Sequence, residues 1–176
     1  MKEEKAVFAG GCFWCVESTL EKVPGVIKVL SGYTGGVKAN PTYEEVSDGG
    51  SGHVEAIEIT YDPEKVPYET LLDAFWREID PTDNGGQFAD RGSQYKTAIF
   101  YVNETQKNIA EDSKKKLQNS GHFDTPIVTP ILPAVAFYPA EEHHQNYAKK
   151  NPGHYKMYRY GSGREPFLKR FWGDKK

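Results

Sequence analysis

Cysteine is scarce in this chain: Cys12 and Cys15 lie near the start and none follows. Two cysteines in 176 residues exclude a disulfide scaffold. No second pair of ligands accompanies them at zinc-site spacing, and the adjacent His143 and His144 face different ways on any helix, so no metal is expected. Phosphate-cradling and dinucleotide-binding glycine patterns are absent, and no cofactor is expected. No apolar run reaches the ~20 residues of a membrane span. The charged start Met1-Lys2-Glu3-Glu4-Lys5 lacks the apolar stretch of a secretory leader. A reducing, cytoplasmic location follows as the expectation, and there a close cysteine pair is catalytic more often than structural.

The formal net charge of −3 argues against a nucleic-acid binder. The charge is uneven. Lys149 to Lys176 holds nine Lys or Arg against Glu165 and Asp174, leaving −10 on the rest. Two readings stand: a solvated basic segment laid over an acidic body, or, because Tyr, Phe and Trp interleave with the basic residues, an arm for an anionic partner.

Hydrophobic residues make up 38% and aromatics 13%, enough for one sizeable core, so a single domain over 1–176 is expected. Lys5 to Ala9 reads as a strand, Gly10-Gly11 as a turn, and Cys12 to Lys22 as a helix with Phe13, Val16, Leu20 and Val23 at core spacing. Val26 to Leu30, His53 to Tyr61 and Tyr95 to Val102 read as strands. Pro67 to Ile79 carries an apolar helical stripe of Leu71, Leu72, Phe75, Trp76 and Ile79. Asn103 and Gln106 mark a capping box. Pro126 to Phe137, broken by Pro130 and Pro133, suits an edge strand. Glu141 to Lys150 reads as a short helix, and the rest as loop. The fold class that fits is α+β: a two-layer sandwich of helices on a mixed, mainly antiparallel sheet, with long loops and an extended C-terminal segment.

A cysteine at the first turn of a helix is favoured as the thiolate by the helix dipole, which makes Cys12 a candidate nucleophile. The competing reading is a small buried hydrophobe. Cys15, three residues on, shares its helix face, so it is either a disulfide partner or inert core. On the strand from His53, odd positions place Glu55 with Ile57 and Ile59 on the buried side. A carboxyl there has a raised pKa and suits a general acid, unless it reaches water or pairs with a cation. Trp14 is offered beside the thiol while Phe13 suits the core. Asp90 lies in a long polar loop and leads to Tyr95. Tyr43 and Tyr95 sit at loop-to-element junctions.

With these residues in view, the chain resembles the peptide methionine sulfoxide reductase A family. Gly10-Gly11-Cys12-Phe13-Trp14 resembles its active-site signature. Six further blocks follow in order: Ser31 to Gly36, Asn40 to Val46, Gly52 to Glu55, Asp80-Pro81-Thr82, Gly86 to Gly92, and His144-Gln145 with Lys150-Asn151-Pro152. The likeness covers roughly Val7 to Pro152. It implies Cys12 as nucleophile, Glu55 as the acid that protonates the sulfoxide oxygen, and Tyr43 and Tyr95 as hydroxyls that hold that oxygen. It also implies Asp90 as the residue orienting the polar side, and Phe13 and Trp14 as walls for the methyl group. The implied reaction reduces methionine-S-sulfoxide, free or in oxidised proteins and peptides, to methionine through a sulfenic acid on Cys12. Thioredoxin or a similar dithiol is the implied reductant, with no nucleic acid or membrane partner, and a monomer is expected.

The chain departs from a common family pattern at Cys15, where many members have glycine and place resolving cysteines near the C-terminus. Cys15 is therefore expected to resolve the sulfenic acid as a Cys12–Cys15 disulfide. Two other readings use fewer of these residues. A general thiol–disulfide oxidoreductase would need the cysteine pair but not Glu55. A non-catalytic methionine-binding domain would need the aromatic pocket but not the thiol.

Overall fold

The computed structural model describes residues 2–173. Its centre is a six-stranded sheet in the order β7-β6-β1-β3-β2-β8. The strands are β1 (Glu4–Gly10), β2 (Val26–Thr34), β3 (Val54–Tyr61), β6 (Thr97–Tyr101), β7 (Ile131–Pro133) and β8 (Phe137–Pro139). All neighbours run antiparallel except β6 and β7. A two-residue ribbon, β4 (Gly86–Gln87) with β5 (Asp90–Arg91), folds the long polar loop. The proline-broken stretch supplies one sheet edge, β7, where a missing N–H costs no ladder bond, and its last residue, Phe137, opens the other edge strand, β8.

The central strands β1 and β3 are buried on both faces. Phe8, Ile57 and Ile59 join the main core, and Val7, Ala9, Ala56 and Phe100 form a second cluster. Helices α1 (Phe13–Leu20), α3 (Tyr68–Trp76) and α4 (Glu104–Asn119) pack with the sheet and each other. The α3 stripe of Leu71, Leu72, Phe75 and Trp76, continued by Ile79, is buried throughout. A short helix, α2 (Tyr43–Ser47), has the Thr42/Glu45 capping box. Asn103 caps α4 by accepting from the Gln106 N–H, but the Gln106 side chain returns to the N–H of Val102 rather than Asn103.

The C-terminal segment corrects the sequence reading. It is not extended: after α5 (Tyr147–Lys150), which falls within the helix expected over Glu141–Lys150, it forms α6 (Pro152–Gly161) and α7 (Arg164–Trp172). Pro152 opens α6, where a missing N–H is harmless. Phe171 stacks on Phe123 and packs tilted against Phe167, which meets Phe88 edge-on, so these aromatics between the basic residues are packing groups, while Tyr160 stays exposed. Nor is the basic charge all solvated, since Arg164 is buried and Arg159 pairs with Glu78 and Glu165. Lys175 and Lys176, which contribute to the count for that segment, lie outside the described residues. Among the described residues no helix is long and apolar enough to cross a membrane.

Candidate active site

β1 runs straight into the Gly10-Gly11 turn. Gly11 has φ +79°, and a Cβ there would meet Gln87 Cβ at 2.6 Å, so only glycine fits. Gln87 is itself fixed: its amide accepts from Asp80 N at 2.9 Å and donates to Asp80 O at 2.7 Å. The turn delivers Cys12 as the N-cap of α1 with extended-type backbone (φ −55°, ψ 116°), one position earlier than the spacing predicts. The N–H of Cys15 bonds back to the Cys12 carbonyl at 3.2 Å, closing the first turn with both side chains together.

Cys12 opens on a cavity of about 280 Å³ lined by Phe13, Trp14, Tyr43, Glu55, Asp90 and Tyr95. Every site residue expected from the sequence borders this cavity except Cys15. His154 and Tyr158 complete its wall.

Glu55 reaches it from β3. The pairing of Tyr33 with Glu55 sets the register, and the carboxyl is 3% exposed. Its Oε1 accepts from the Phe13 N–H at 3.1 Å, one of the donors an α-helix start leaves free. Burial pushes the carboxyl up to about 8; the Phe13 bond opposes that rise and the Asp90 charge adds to it. It is thus a protonated acid at neutral pH.

The thiols differ from the sequence reading. The N-cap position does not depress Cys12: burial, the bond to Cys15 and the nearby Glu55 all push it up. Cys15 is instead lowered to about 7, first by the hydrogen bond from Cys12 and then by the charge of Arg164. The dipole effect falls within the first turn, and here desolvation outweighs it.

Aromatic packing builds the apolar side. Trp14 stacks on Tyr147 with centroids 3.8 Å apart and 9° between planes, and meets Tyr158 edge-on at 5.7 Å. Its Nε1–H donates to His144 Nδ1 at 3.2 Å. The Phe13 ring packs against Tyr33 and His144.

Each polar wall has a local anchor. His53 accepts from the Gly36 N–H at 3.1 Å and bonds the Lys38 carbonyl at 2.7 Å, fixing the loop that carries Tyr43. The N–H of Tyr43 donates to Glu141 at 3.1 Å. The Tyr158 hydroxyl donates to Asp90, tying the long loop to α6. Burial pushes Tyr43, Tyr95 and Tyr158 up, so all three remain neutral hydroxyls. Gln145 holds the strand β2 by a paired bond to Ser31 N and O, at 2.9 and 2.8 Å.

Sequence reasoning missed His154, Tyr158 and Arg164 because it read the residues after Lys150 as loop. Pro152 at a helix start with His154 and Tyr158 four residues apart was the available signal. Among the described residues no group of three or more His, Cys, Asp or Glu could hold a metal.

The family description "Peptide methionine sulfoxide reductase" matches residues 4–176. The chain is similar to the curated peptide methionine sulfoxide reductase MsrA of Bacillus licheniformis, with 59% identity, covering 99% of this chain and 96% of that one. Its fold is similar to reduced Mxr1 of Saccharomyces cerevisiae, with TM-score 0.81 and 29% identity over 86% of this chain and 87% of that one. It is also similar to Mxr1 in complex with Trx2, with TM-score 0.59 and 24% identity over 84% and 86%.

Proposed function

The chain belongs to the peptide methionine sulfoxide reductase family, and from that membership we propose how its own residues reduce methionine-S-sulfoxide. The single observation that carries the assignment of roles is one cavity bordered by Cys12 and a Glu55 carboxyl raised to about 8. A thiolate can displace oxygen from a sulfoxide only if the oxygen leaves protonated, and these two groups supply the attacker and the proton.

The sulfoxide enters with its methyl group against Phe13 and Trp14 and its oxygen toward Tyr43, Tyr95 and Glu55. The tyrosine hydroxyls hold the S–O dipole beside the buried Glu55 and Cys12, where such bonds count for more. Asp90, bonded by Tyr158, orients the polar wall. The Cys12–Cys15 pair shares a proton, so loss of one proton from the pair leaves a charge that reaches Cys12 when the remaining proton crosses to Cys15. Cys12 Sγ attacks the substrate sulfur as Glu55 passes its proton to the oxygen. The hydroxyl then passes from the substrate sulfur to Cys12 Sγ as the new S–S bond breaks, methionine leaves with that electron pair, and Cys12 carries a sulfenic acid. Cys15 then attacks that sulfur, releasing water and forming the Cys12–Cys15 disulfide. Both sulfurs lie on one helical turn, already hydrogen-bonded, so ring closure needs no distant segment.

A dithiol reductant such as thioredoxin restores the enzyme. A complex of the related Mxr1 with Trx2 supports that choice. We place the whole activity in one catalytic domain over 1–176, working in the cytoplasm, where a close pair of cysteines without a disulfide scaffold is more often catalytic than structural.

The test is mass spectrometry after one equivalent of a methionine-S-sulfoxide peptide with no reductant. One methionine released per chain, with a mass loss of two hydrogens and no alkylatable thiol, is expected. Unchanged turnover in Cys12→Ser, or a persistent oxidised monothiol, would overturn the assigned roles of Cys12 or Cys15 respectively.

A further inference from the structure

The two sulfurs differ in access, and the difference decides which one a reductant can reach. Cys12 is 5% exposed and borders the substrate cavity. Cys15 is 0% exposed and borders neither that cavity nor the hollow on the other side of α1. That hollow is lined by Ser18, Thr19, Tyr155 and Arg159, and Tyr155 packs between it and the cysteines.

Behind Cys15 the protein is also closed. Arg164, 1% exposed, donates to Gly10 O at 3.0 Å and to Glu78 O at 2.6 Å, so its guanidinium lies under the turn that carries Cys12. Arg159 bridges Glu78 and Glu165 beside it. No thiol can approach Cys15 from this side unless α6 and α7 leave.

We propose that the reductant enters by the substrate's own cavity and attacks Cys12, with Cys15 as the leaving thiolate. This rests on the Cys12–Cys15 disulfide of the preceding section. The external thiolate bonds to Cys12 Sγ, the Cys12–Cys15 bond breaks, and its electron pair stays on Cys15. The reductant's second thiol then attacks its own sulfur in the mixed disulfide. That step releases Cys12 as the thiolate, and the reductant departs as a disulfide. Two electrons pass in all.

The surroundings suit each sulfur to that part. A lower-pKa thiol leaves faster in exchange. The groups facing Cys15 are Cys12, Arg164, Glu78, Arg159 and Tyr155, with Glu55 beyond, and the two arginines favour its charge. A consequence is that methionine must vacate the cavity before reduction begins, so product and reductant compete for one mouth. The reductant must therefore present its thiol on a narrow projection able to enter a space of about 280 Å³.

The experiment uses the whole enzyme, oxidised with one equivalent of methionine-S-sulfoxide peptide and checked by intact mass for the disulfide. Thioredoxin with its second active-site cysteine replaced by serine is added, and the mixture is quenched and alkylated. Chymotrypsin cuts after Phe13 and Trp14, which places the two cysteines on separate peptides. Thioredoxin bonded to Cys12, with Cys15 alkylated, is expected; thioredoxin on Cys15 overturns the proposal. In parallel, a methionine peptide is titrated into thioredoxin-coupled turnover. A several-fold rise in the apparent KM for thioredoxin at constant kcat is expected. An unchanged KM overturns the proposal even where no adduct accumulates. If the intact mass shows no disulfide, the role of Cys15 as resolving thiol fails first, and this inference falls with it.

Discussion

Glu55 Oε1 accepts a hydrogen bond from the backbone N–H of Phe13 at 3.1 Å, which ties the buried carboxyl to the residue next to Cys12. The bond serves two ends. It satisfies a free donor at the start of α1, and it fixes the distance between proton donor and nucleophile through one stretch of rigid backbone. A glutamine at this position can still accept that bond but has no proton to give. Glu55→Gln should therefore keep the fold and lose methionine release by ~100-fold or more. In the wild type, release of methionine should fall as pH rises through about 8, where the carboxyl loses its proton.

The same residue sets a stability trend whose sign runs against most carboxylates. Its folded pKa of about 8 lies above the ordinary 4.5, so the folded state holds the proton more tightly. That contribution is complete below about 4.5 and is lost as pH climbs to about 8. Glu55→Gln is not subject to this loss. The variant should match the wild type in Tm near pH 4.5 and exceed it at pH 9. A variant less stable than wild type at pH 9 would show that the carboxylate is compensated in the fold.

Cys15→Ser separates the two half-reactions. Cys12 still meets Glu55 across the cavity, so one methionine per chain should be released at a rate within a few-fold of wild type. Thioredoxin-coupled turnover should drop by ~10-fold or more, since the sulfenic acid no longer becomes an internal disulfide. Dimedone should label this variant after one turnover and leave the oxidised wild type unlabelled. Full thioredoxin-coupled activity in Cys15→Ser would remove Cys15 from the cycle.

The way the site is distributed explains what was readable in advance. The β1–turn–α1 unit is local: the glycine pair, the thiol and the Phe13 face lie within a few residues, so periodicity and turn chemistry found them. Glu55 was readable because strand alternation fixes its side regardless of partners. The mainly antiparallel sheet followed from the order of strands and helices along the chain. The ionisation of the thiols was not readable, because it depends on Arg164 of α7 and on burial by Tyr147 of α5 and Tyr155 and Tyr158 of α6, all from the far end of the chain. Tyr158 and His154 escaped for a related reason. Their helix carries three Tyr but no Leu, Ile, Val or Phe, and Tyr155 and Tyr158 pack it on α1 and the loop at Asp90.

Arg164 gives a prediction for that long-range contribution. Arg164→Met removes a buried cation and its hydrogen bonds to Gly10 O and Glu78 O. Stability should fall by about 3 kcal/mol, the scale of breaking a buried charged contact. In the folded fraction, the pH at which the thiol pair ionises should rise from about 7, read as thiolate absorbance at 240 nm. Arg164→Lys, which keeps the charge but not the fork, should recover the absorbance more fully than the stability. Equal recovery of both, or of neither, would argue against a role through charge.

Tyr158 donates its hydroxyl to Asp90 and stands edge-on to Trp14, so it joins the polar and apolar walls. Tyr158→Phe keeps the ring and removes the bond. Asp90 would then lose its anchor to α6 while the aromatic wall stays in place. The expected result is a fall in kcat of ~10-fold with KM for a sulfoxide peptide changed less than threefold, the pattern of lost transition-state positioning. A pure KM effect would instead assign Tyr158 to ground-state binding.

Trp14 should show the opposite split. Its ring lies flat on Tyr147 at 3.8 Å and is pinned by the Nε1–H bond to His144, so it offers a rigid apolar wall to the substrate's methyl group. That contact is made to the sulfoxide and to the transition state alike, because the methyl group takes no part in bond breaking. Uniform binding of this kind lowers KM without raising kcat. Trp14→Phe keeps an aromatic face and loses the tether to His144, so a KM increase of a few-fold is expected with kcat nearly unchanged. Trp14→Ala opens the wall and should raise KM by ~10-fold or more, since a buried methyl contact and the stack on Tyr147 are both lost. A sulfoxide with ethyl in place of methyl distinguishes a wall from a catalytic group. It should be a poorer substrate than the methyl compound for wild type and regain ground in Trp14→Ala, where the space has opened.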